Sequence, residues 1–455
     1  MAGLGTHGGA EGNVRWRVEQ GANVTITDLR QADELRAVIN RLRDLPQITW
    51  VLGEHRPADF TMTDMVLRNP ALPVASPYLS AARAARVPIE MDSSLFLKLC
   101  SSGTIFGVIG NKHKRLTTLG IEHLLHLTFA RVVMIGIGNG SPLAALSEVG
   151  SDDLVVFELN SARLEGLREA KLSPQTSVIT HLTGGSATEL EVKKSALQYQ
   201  ASTDRVLLNY DDPETRAWRA NTLGQVFWYS LGKAIPGNGI CVRRGQVTIV
   251  MNYSHLSLFR LNTLGIADET QQRELLPAIF LAFASGARPS SIALQVRHLT
   301  NVAHRLEPIA EISGVRYLDD SAATIPEATV AALRSLNHKH IVLVLGGSDT
   351  KLSFEKLAQA CANSWIRALV FIPGSTTGRM REVIESRYQT SPPIHMSDSV
   401  PEAVRVAARY ARPGDTVLFS PAASTAGYFR DEFQRGQLFS QAVTNLQELS
   451  PTSAY

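Results

Sequence analysis

Residues 107–118 read Gly107-Val-Ile-Gly110-Asn-Lys-His-Lys114-Arg-Leu-Thr117-Thr118, and they are the most informative segment of the chain. It follows a β-rich run at 103–106 and leads into a helix-like stretch at 119–125. A strand, a basic turn and a helix are the layout of a phosphate-binding loop. In such a loop, backbone N–H groups and the helix N-terminus hold anionic oxygens, and a lysine reaches the terminal phosphates. The pattern therefore predicts a nucleotide site around Lys114.

The loop departs from this pattern at two positions. The glycine expected before the lysine is His113, and the Ser or Thr expected after it is Arg115. Because basic residues fill positions 112–115, a solvated turn without a ligand is the alternative interpretation. The segments that follow along the chain are needed to decide between the two.

The composition is that of an ordinary globular protein with length for two or three domains. Of 455 residues, 44% are hydrophobic and 19% charged, and a net charge of +3 demands neither nucleic acid nor an anionic membrane. Cys100, Cys241 and Cys361 lie far apart, so neither a disulfide framework nor a zinc cluster is indicated. The start has no signal-peptide pattern, and the longest apolar runs are too short to span a bilayer. We expect a cytoplasmic protein.

Strand and helix patterns alternate along the chain, which predicts α/β architecture with largely parallel sheets. Domain boundaries are expected near 95–103 and near 300. In the last 150 residues, a strand at 340–345 ends in Gly346-Gly347, and a strand at 416–420 ends in Pro421-Ala-Ala-Ser424. Loops of small residues at the carboxyl edge of a sheet are where ligands bind in open α/β folds.

A second nucleotide motif lies at the N-terminus. Gly3-Leu-Gly5-Thr-His-Gly8 precedes a helical stretch, and the strand at 23–28 ends in Asp28. Glycines let the backbone approach a pyrophosphate, and the acid meets a ribose or base. Only Met1 and Ala2 precede the loop, so either the start is truncated or the sheet lacks a full first strand. NAD, another nucleotide diphosphate and a glycine turn without a ligand all remain open.

Three further positions have a functional and a structural interpretation. Glu158 ends a buried-type strand, where it is placed for a metal ion near a triphosphate or is a surface acid. Lys193 stands beside Lys194 on a helix, where both would ordinarily face solvent. His304-Arg305 is either part of a binding site or a structural salt-bridge donor.

Taken in order, these segments resemble the Mur ligase family over nearly the whole chain. Each segment alone is common, but their occurrence in order over 450 residues is specific. The resemblance is carried by Gly3-Leu-Gly5 with Asp28, Asn69-Pro70-Ala-Leu-Pro73, the segment 158–165, Asp211-Asp212-Pro213, His304-Arg305, Asp320-Ser-Ala-Ala-Thr324 with Pro326, Leu345-Gly-Gly, Ser420-Pro-Ala, and the segment 429–436.

The resemblance implies an ATP-dependent amide ligase of peptidoglycan synthesis, from the branch that adds glutamate to UDP-N-acetylmuramoyl-L-alanine through an acyl phosphate. It implies a Rossmann-like domain for the uridine diphosphate substrate at 1–98, a central P-loop-type ATP-binding domain at 99–302, and a C-terminal Rossmann-like domain for the amino acid at 303–455. ATP and Mg²⁺ are the implied cofactors, and the two substrates are the implied partners. A monomer is expected, with no nucleic acid or membrane partner.

The same resemblance assigns roles to individual residues. The implied catalytic residues are Lys114, Glu158 and Lys193, of which Glu158 and a carbamylated Lys193 would hold the metal. The implied ATP-binding residues are Gly110, Asn111, Lys112, His113, Lys114, Arg115, Leu116, Arg305 and Asp320. The implied residues for the uridine diphosphate substrate are Gly5, Thr6, Asp28, Arg30, Asn69 and Asn139. Those for the amino acid are Thr324, Lys351 and Thr425.

Departures from the family pattern gather where catalysis happens. Besides the two loop positions, Ser186 stands where the family has a metal-linked histidine, Ala322 replaces a lysine, and the family's His-Asn-x-x-Asn element is absent from 266–276.

Two functional classes are compatible with these departures. One is a working ligase that uses Thr117 or Thr118 for the missing hydroxyl; the other is a Mur ligase-fold protein that binds its nucleotide-sugar substrate without ATP turnover. A nicotinamide-dependent dehydrogenase is a distant third. We expect the ligase, because the substrate-facing segments at both ends are well kept.

Overall fold

The structure, a computed structural model, divides the chain into two compact units, residues 1–300 and 301–455. Each unit is described by itself, and the predicted three-domain boundaries stay predictions. The structure describes residues 1–4, 9–111, 114–136, 141–182, 186–264, 266, 269–297, 306–336, 340–348, 352–388, 392–425, 427–429 and 432–449.

The first unit begins with short alternating elements around two small parallel sheets, β1–β2 and β3–β4. Ala2 joins them, because it forms parallel bridges to both Thr27 and Arg68. Ala2 therefore lies between the two sheets, in the position of a first strand. The elements are α1 (Gly9–Glu19), β1 (Val24–Asp28), α2 (Ala32–Arg41), β2 (Ile48–Leu52), α3 (Ala58–Thr61), β3 (Val66–Leu67), α4 (Pro77–Ala84), β4 (Ile89–Glu90) and α5 (Asp92–Leu99).

The rest of the first unit is built on a nine-stranded sheet of order β6-β7-β5-β8-β9-β10-β11-β12-β13. Its strands run parallel from β6 to β11 and antiparallel from there to β13. The elements are β5 (Thr104–Ile109), α6 (Lys114–Leu125), β6 (Val132–Ile135), β7 (Leu154–Leu159), α7 (Ser161–Ala170), β8 (Thr176–Ile179), α8 (Ala187–Gln198), β9 (Arg205–Asn209), α9 (Pro213–Ala217), β10 (Gln225–Ser230), β11 (Gly239–Arg243), β12 (Gln246–Met251), β13 (Ser254–Arg260), α10 (Glu269–Ala284) and α11 (Pro289–Gln295).

The centre of this sheet explains why the fold forms around residues 104–125. Strands β5 and β7 are almost continuously apolar and buried, as expected for parallel strands covered on both faces. Helix α6 turns Leu116, Ile121 and Leu124 into the core, at the spacing of one helix face. A Cβ on Gly120 would lie 2.9 Å from the Leu275 side chain, so this glycine lets α10 pack closely against α6.

The second unit contains a six-stranded sheet of order β14-β15-β19-β16-β17-β18. The β14–β15 hairpin is antiparallel, and the other pairs are parallel. Helices α12 and α13 belong to one face of the core and α15 and α16 to the other. The elements are β14 (Glu307–Ile312), β15 (Val315–Asp319), α12 (Pro326–Ser335), β16 (Ile341–Leu345), α13 (Glu355–Ala362), β17 (Ile366–Phe371), α14 (Thr377–Glu385), β18 (Ile394–Met396), α15 (Val400–Tyr410), β19 (Thr416–Phe419) and α16 (Glu432–Leu449).

The predicted α/β class is confirmed by this alternation of parallel strands and helices in both units. Among the described residues, every helix is too short or too polar to cross a membrane.

Candidate functional site

The phosphate-loop strand β5 is locked to its neighbour β8 where both strands end. Thr180 N donates to Ile109 O over 2.7 Å, and Asn111 N donates to His181 O over 2.9 Å. A Cβ on Gly110 would lie 1.9 Å from Thr180 Oγ1, so only glycine fits between the two loops. The backbone that enters the phosphate loop is therefore held in one position.

Lys114 is the first residue of α6, and its ammonium group donates to Gly110 O over 3.1 Å. Burial lowers the pKa of Lys114; the charge of Glu158 opposes that change, and Lys193 and Arg115 reinforce it. The three predicted catalytic residues thus lie close enough to interact electrostatically. Leu116 is buried in the core, so its backbone is the part that could face a nucleotide.

The two threonines considered for the missing hydroxyl face different ways. Thr117 Oγ1 donates to Glu274 O over 2.9 Å and so faces α10. Thr118 Oγ1 donates to Lys114 O over 3.0 Å and lies 3.5 Å from Glu158 Oε2. Thr118 therefore lies beside the carboxylate and the lysine, whereas Thr117 stabilises the contact between two helices.

Lys193 is buried, although its position beside Lys194 in the sequence favoured a solvent-facing side chain. Its side chain is 4% exposed, and its ammonium group donates to Asn111 Oδ1. Burial lowers the pKa of Lys193, which favours the neutral amine. Lys194 instead pairs with Glu191, one turn away on the exposed face of α8. The helix thus separates a buried lysine from a solvated one.

Ser186 has a structural role in the position where the family carries a histidine. Its hydroxyl accepts a hydrogen bond from Glu189 N over 3.2 Å, and Ser186 N donates to Glu189 Oε2 over 3.0 Å. This reciprocal pair is a capping box at the N-terminus of α8, the helix that carries Lys193.

The donor set fits a hard cation such as Mg²⁺. Glu158 supplies a carboxylate, Thr118 a hydroxyl, and Lys193 would supply a second carboxylate if carbamylated. Within the described ranges, no group of three or more His, Cys, Asp or Glu side chains forms a metal cluster. Few protein ligands are typical of Mg²⁺ sites, where substrate phosphates and water complete the coordination.

Arg163 is a residue of this region to which the sequence analysis gave no role. It is 9% exposed, and its Nη1 donates to Gly136 O over 2.8 Å, just before the loop that carries Asn139. On the far side of that loop, Ser141 Oγ donates to Asn13 Oδ1 over 2.5 Å. Gly136 is thus bonded to α7, and Ser141 is bonded to α1. Its position in the segment 158–165, which carried part of the resemblance, could have indicated the role of Arg163 from the sequence.

Asp28 is engaged by the protein itself. Its Oδ1 accepts from Arg30 N and Nε, each at 3.0 Å, and its Oδ2 accepts from Leu4 N at 2.8 Å and Arg30 Nη2 at 2.7 Å. Burial alone would raise the pKa of Asp28, but the hydrogen bonds and charge of Arg30, with the Leu4 bond, lower it to about 2. The carboxylate fixes Arg30 against the start of the glycine loop.

Asn69 lies beside the same loop. Its backbone N donates to Ala2 O over 2.9 Å, and its Oδ1 accepts from Ala71 N over 2.9 Å. Gly3 has a φ of +83°, and a Cβ there would lie 3.1 Å from Asn69 Cβ. The structure thus brings Asp28, Arg30 and Asn69 together around residues 2–4.

In the second unit, the predicted residues Asp320, Thr324 and Thr425 follow β15 and β19, which are adjacent strands. Asp320 Oδ2 accepts from Ser420 Oγ over 2.5 Å. Thr324 N donates to Ala322 O over 2.9 Å, and Thr425 O accepts from Phe429 N over 3.0 Å. Both threonines lie in turns at the carboxyl edge of the sheet.

Arg435 joins these two loops from α16. Its fully buried guanidinium donates from Nη2 to Ser321 O over 2.7 Å and from Nη1 to Ala423 O over 2.9 Å. Burial lowers the pKa of Arg435 to about 10, against the charges of the neighbouring acids. Sequence reasoning placed this arginine in the resemblance but gave it no role.

Seven predicted site residues lie outside the described part of the chain: Gly5, Thr6, Lys112, His113, Asn139, Arg305 and Lys351.

Known proteins share both the sequence and the fold. Residues 304–423 match the Mur ligase, glutamate ligase domain. The chain is 37% identical to the UDP-N-acetylmuramoylalanine–D-glutamate ligase of Roseiflexus sp. (strain RS-1), with 97% of each chain covered. It is 31% identical to the ligase of the same name from Symbiobacterium thermophilum, with 95% of each covered.

Two solved structures show the same fold at lower identity. The UDP-N-acetylmuramate-alanine ligase of Thermotoga maritima has a TM-score of 0.57 and 18% identity, with 98% of each chain covered. The murein peptide ligase of Psychrobacter arcticus has a TM-score of 0.53 and 12% identity, also with 98% of each covered.

Proposed function

We propose that this chain, which belongs to the UDP-N-acetylmuramoylalanine–D-glutamate ligase family, joins glutamate to UDP-N-acetylmuramoyl-L-alanine with ATP. The resemblance to Mur ligases seen in the sequence is confirmed by these full-length relatives. The observation that supports the proposal is the set of contacts beside the phosphate loop: Lys114 donates to Gly110 O, Lys193 donates to the next residue, Asn111, and Glu158 lies 3.5 Å from the Thr118 hydroxyl on α6. The proposed pathway is peptidoglycan precursor synthesis.

The reaction proceeds in two transfers. A substrate carboxylate oxygen attacks the γ-phosphorus of ATP, the bond to the bridging oxygen breaks, and an acyl phosphate and ADP form. The amine of glutamate then attacks the acyl carbon, inorganic phosphate leaves, and the nitrogen loses a proton. The first transfer places negative charge beside the phosphate loop, where backbone N–H groups and the Lys114 ammonium stabilise it.

Glu158, Thr118 and a carbamylated Lys193 are the residues that would hold Mg²⁺. When bound, Mg²⁺ neutralises charge on the phosphates. The protein's own contribution is to keep these oxygen donors in place. Thr118 is held by its hydrogen bond to Lys114 O, and α8 is held by the capping box at Ser186.

The hydrogen bonds of Asp28 support a uridine diphosphate substrate over NAD. In dinucleotide-binding folds the corresponding acid accepts a hydrogen bond from a ribose hydroxyl. A carboxylate has about four lone-pair positions. Asp28 already accepts from four donors, on Leu4 and Arg30, so it has no position left for a ribose. Arg30, whose side chain is 29% exposed, is the group that meets the nucleotide.

Phosphate release tests the proposal directly. The protein is mixed with ATP, Mg²⁺, UDP-N-acetylmuramoyl-L-alanine and D-glutamate, and phosphate is measured with and without the amino acid. We expect glutamate-dependent release that Lys193→Ala abolishes and Lys194→Ala preserves, because only the first lysine is buried in the site. Phosphate release that depends neither on glutamate nor on Lys193 would refute the proposed ligase activity.

The second candidate, substrate binding without turnover, rests on the changes at positions 113, 115 and 186. Calorimetry separates it from the ligase, since it predicts binding of the UDP-muramoyl substrate with no phosphate release. Binding of NAD without binding of the UDP-muramoyl substrate would reverse the assignment of the N-terminal site.

A further inference from the structure

Hydrogen bonds of Asn111 connect three segments of the first unit. Its backbone N donates to His181 O over 2.9 Å, and its Nδ2 donates to Leu182 O. Its Oδ1 accepts from Lys193 Nζ on α8. One side chain therefore connects the phosphate loop, the loop after β8 and the buried lysine.

We infer that Asn111 is the residue that positions Lys193 for carbamylation, an inference that rests on the proposed ligase function. Leu182 O is only an acceptor, so it must face the NH₂ group of the amide. That contact fixes the orientation of the amide and turns Oδ1 toward Lys193. The lysine is 4% exposed, and its bond to Asn111 Oδ1 holds its nitrogen beside this amide.

The chemistry of carbamylation needs such a fixed acceptor. The lone pair of the neutral Lys193 amine attacks the carbon of CO₂, one C–O π pair moves to oxygen, and a proton leaves the nitrogen. The product keeps one N–H and gains a carboxylate. Asn111 Oδ1 accepts the remaining N–H, so the direction of that bond sets the direction in which the new carboxylate lies.

The backbone on either side keeps Asn111 from moving away. Gly110 is in contact with Thr180, and Thr180 Oγ1 donates to Ile109 O over 3.2 Å. An amide at 111 is therefore part of the rigid junction between β5 and β8. We class Asn111 as a positioning residue, since it acts through Lys193.

The test is the ¹³C NMR signal of the protein titrated with ¹³C-bicarbonate. In the wild-type protein we expect a carbamate signal that Lys193→Ala removes and Lys194→Ala retains. For Asn111→Leu, which keeps the size but loses the acceptor, we expect the bicarbonate concentration for half-carbamylation to rise about fivefold, the value of one hydrogen bond. Unchanged bicarbonate dependence in Asn111→Leu would overturn the inference.

Binding of UDP to the N-terminal site, which does not involve Asn111, shows whether this variant is folded. If Asn111→Leu fails to bind UDP, Asn111→Ala is titrated instead, because it removes the acceptor with a smaller side chain. A half-carbamylation concentration above that of the wild type supports the inference; a wild-type value overturns it. If the wild-type protein releases phosphate but shows no Lys193 carbamate signal, the inference about Asn111 is refuted and the proposed ligase activity is retained. If the carbamate signal is present but no phosphate is released, only the proposed ligase activity is refuted.

Discussion

At the scale of single residues, the Asp28 carboxylate connects Leu4 to Arg30 through four hydrogen bonds. Its pKa is lowered from 3.8 to about 2, so its contribution to stability is complete above pH 4 and is lost as the pH falls toward 2. We expect Asp28→Asn to reduce the free energy of unfolding by about 2 kcal/mol at pH 7 and by about half of that at pH 3.

Urea unfolding at the two pH values measures this difference. Asp33→Asn is the matched control, because its carboxylate is 84% exposed on the neighbouring helix α2. A loss for Asp28→Asn that stays the same at pH 3 would show that Asp28 is not held ionised by Arg30 and Leu4.

The two threonines of α6 give a second prediction. Thr118→Ala should lower Mg²⁺-dependent ATP turnover at least about tenfold, or ~1.4 kcal/mol in the barrier, because it removes the hydroxyl beside Glu158. Thr117→Ala should leave turnover near the wild-type value and cost about 1 kcal/mol of stability, since its hydroxyl bonds Glu274 O. Steady-state kinetics and urea unfolding measure the two effects, and equal turnover losses would contradict the assignment.

The unusual loop residues give a third prediction. A side chain at 113 stands where the family has glycine, and the charge of Arg115 repels a cation. We expect the double change His113→Gly with Arg115→Thr to raise Mg²⁺-dependent ATP turnover at least about tenfold. If the double variant is no faster than the parent, the loop does not limit the rate, and Ser186 and the missing His-Asn element become the positions to change.

At the scale of elements, α16 stabilises the loops of the second unit through Arg435. Replacing it by methionine leaves the carbonyls of Ser321 and Ala423 buried without their donor, at about 1–3 kcal/mol each. We expect Arg435→Met to destabilise the second unit and to raise the KM for glutamate more than it lowers kcat. Arg405→Met, on the exposed face of α15, is the control.

Urea unfolding and steady-state kinetics provide both readouts. Arg435→Lys should recover part of the stability, because an ammonium can still donate to one of the two carbonyls. If KM for glutamate is unchanged while stability falls, Arg435 supports the fold without shaping the amino-acid site.

The sequence predicted those elements whose local pattern is strong. The apolar strands that end at Asp28, Leu159 and Leu345 lie where the sequence analysis placed them, within one residue. Helix α6 begins at Lys114 instead of Leu119, because the basic start of the helix masked its apolar face. The local pattern also did not determine whether Lys193 lies on the buried or the exposed side of α8.

The contacts that define the candidate site were out of reach of local patterns. Asn111 and Lys193 are 82 positions apart in the chain, and Asp320 and Ser420 are 100 positions apart. Such pairs depend on the order of strands in the sheet, which the amino-acid pattern of one segment does not encode. The resemblance to a family supplied the roles of Lys193 and Asp320, while their hydrogen-bond partners required the structure.

At the scale of the whole molecule, each compact unit has its own hydrophobic core. In the part of the second unit that the structure describes, core residues lie on both faces of its six-stranded sheet. A unit with a complete core is able to fold alone. We therefore expect a fragment of residues 301–455 to unfold cooperatively in urea and to show a near-ultraviolet circular dichroism signal. A gradual transition without that signal would mean that the second unit needs the first to fold.

The position of Arg435 on the last described helix also matters during synthesis. A ribosome makes the carbonyls of Ser321 and Ala423 well before it makes the guanidinium that joins them. The nascent chain can therefore assemble the sheet of the second unit while its two ligand loops are still unlocked. A chain that terminates before α16 would expose those buried carbonyls to water and present the loops in no fixed arrangement. Translation to residue 435 is thus a condition for fixing these two loops in the arrangement that the folded unit has.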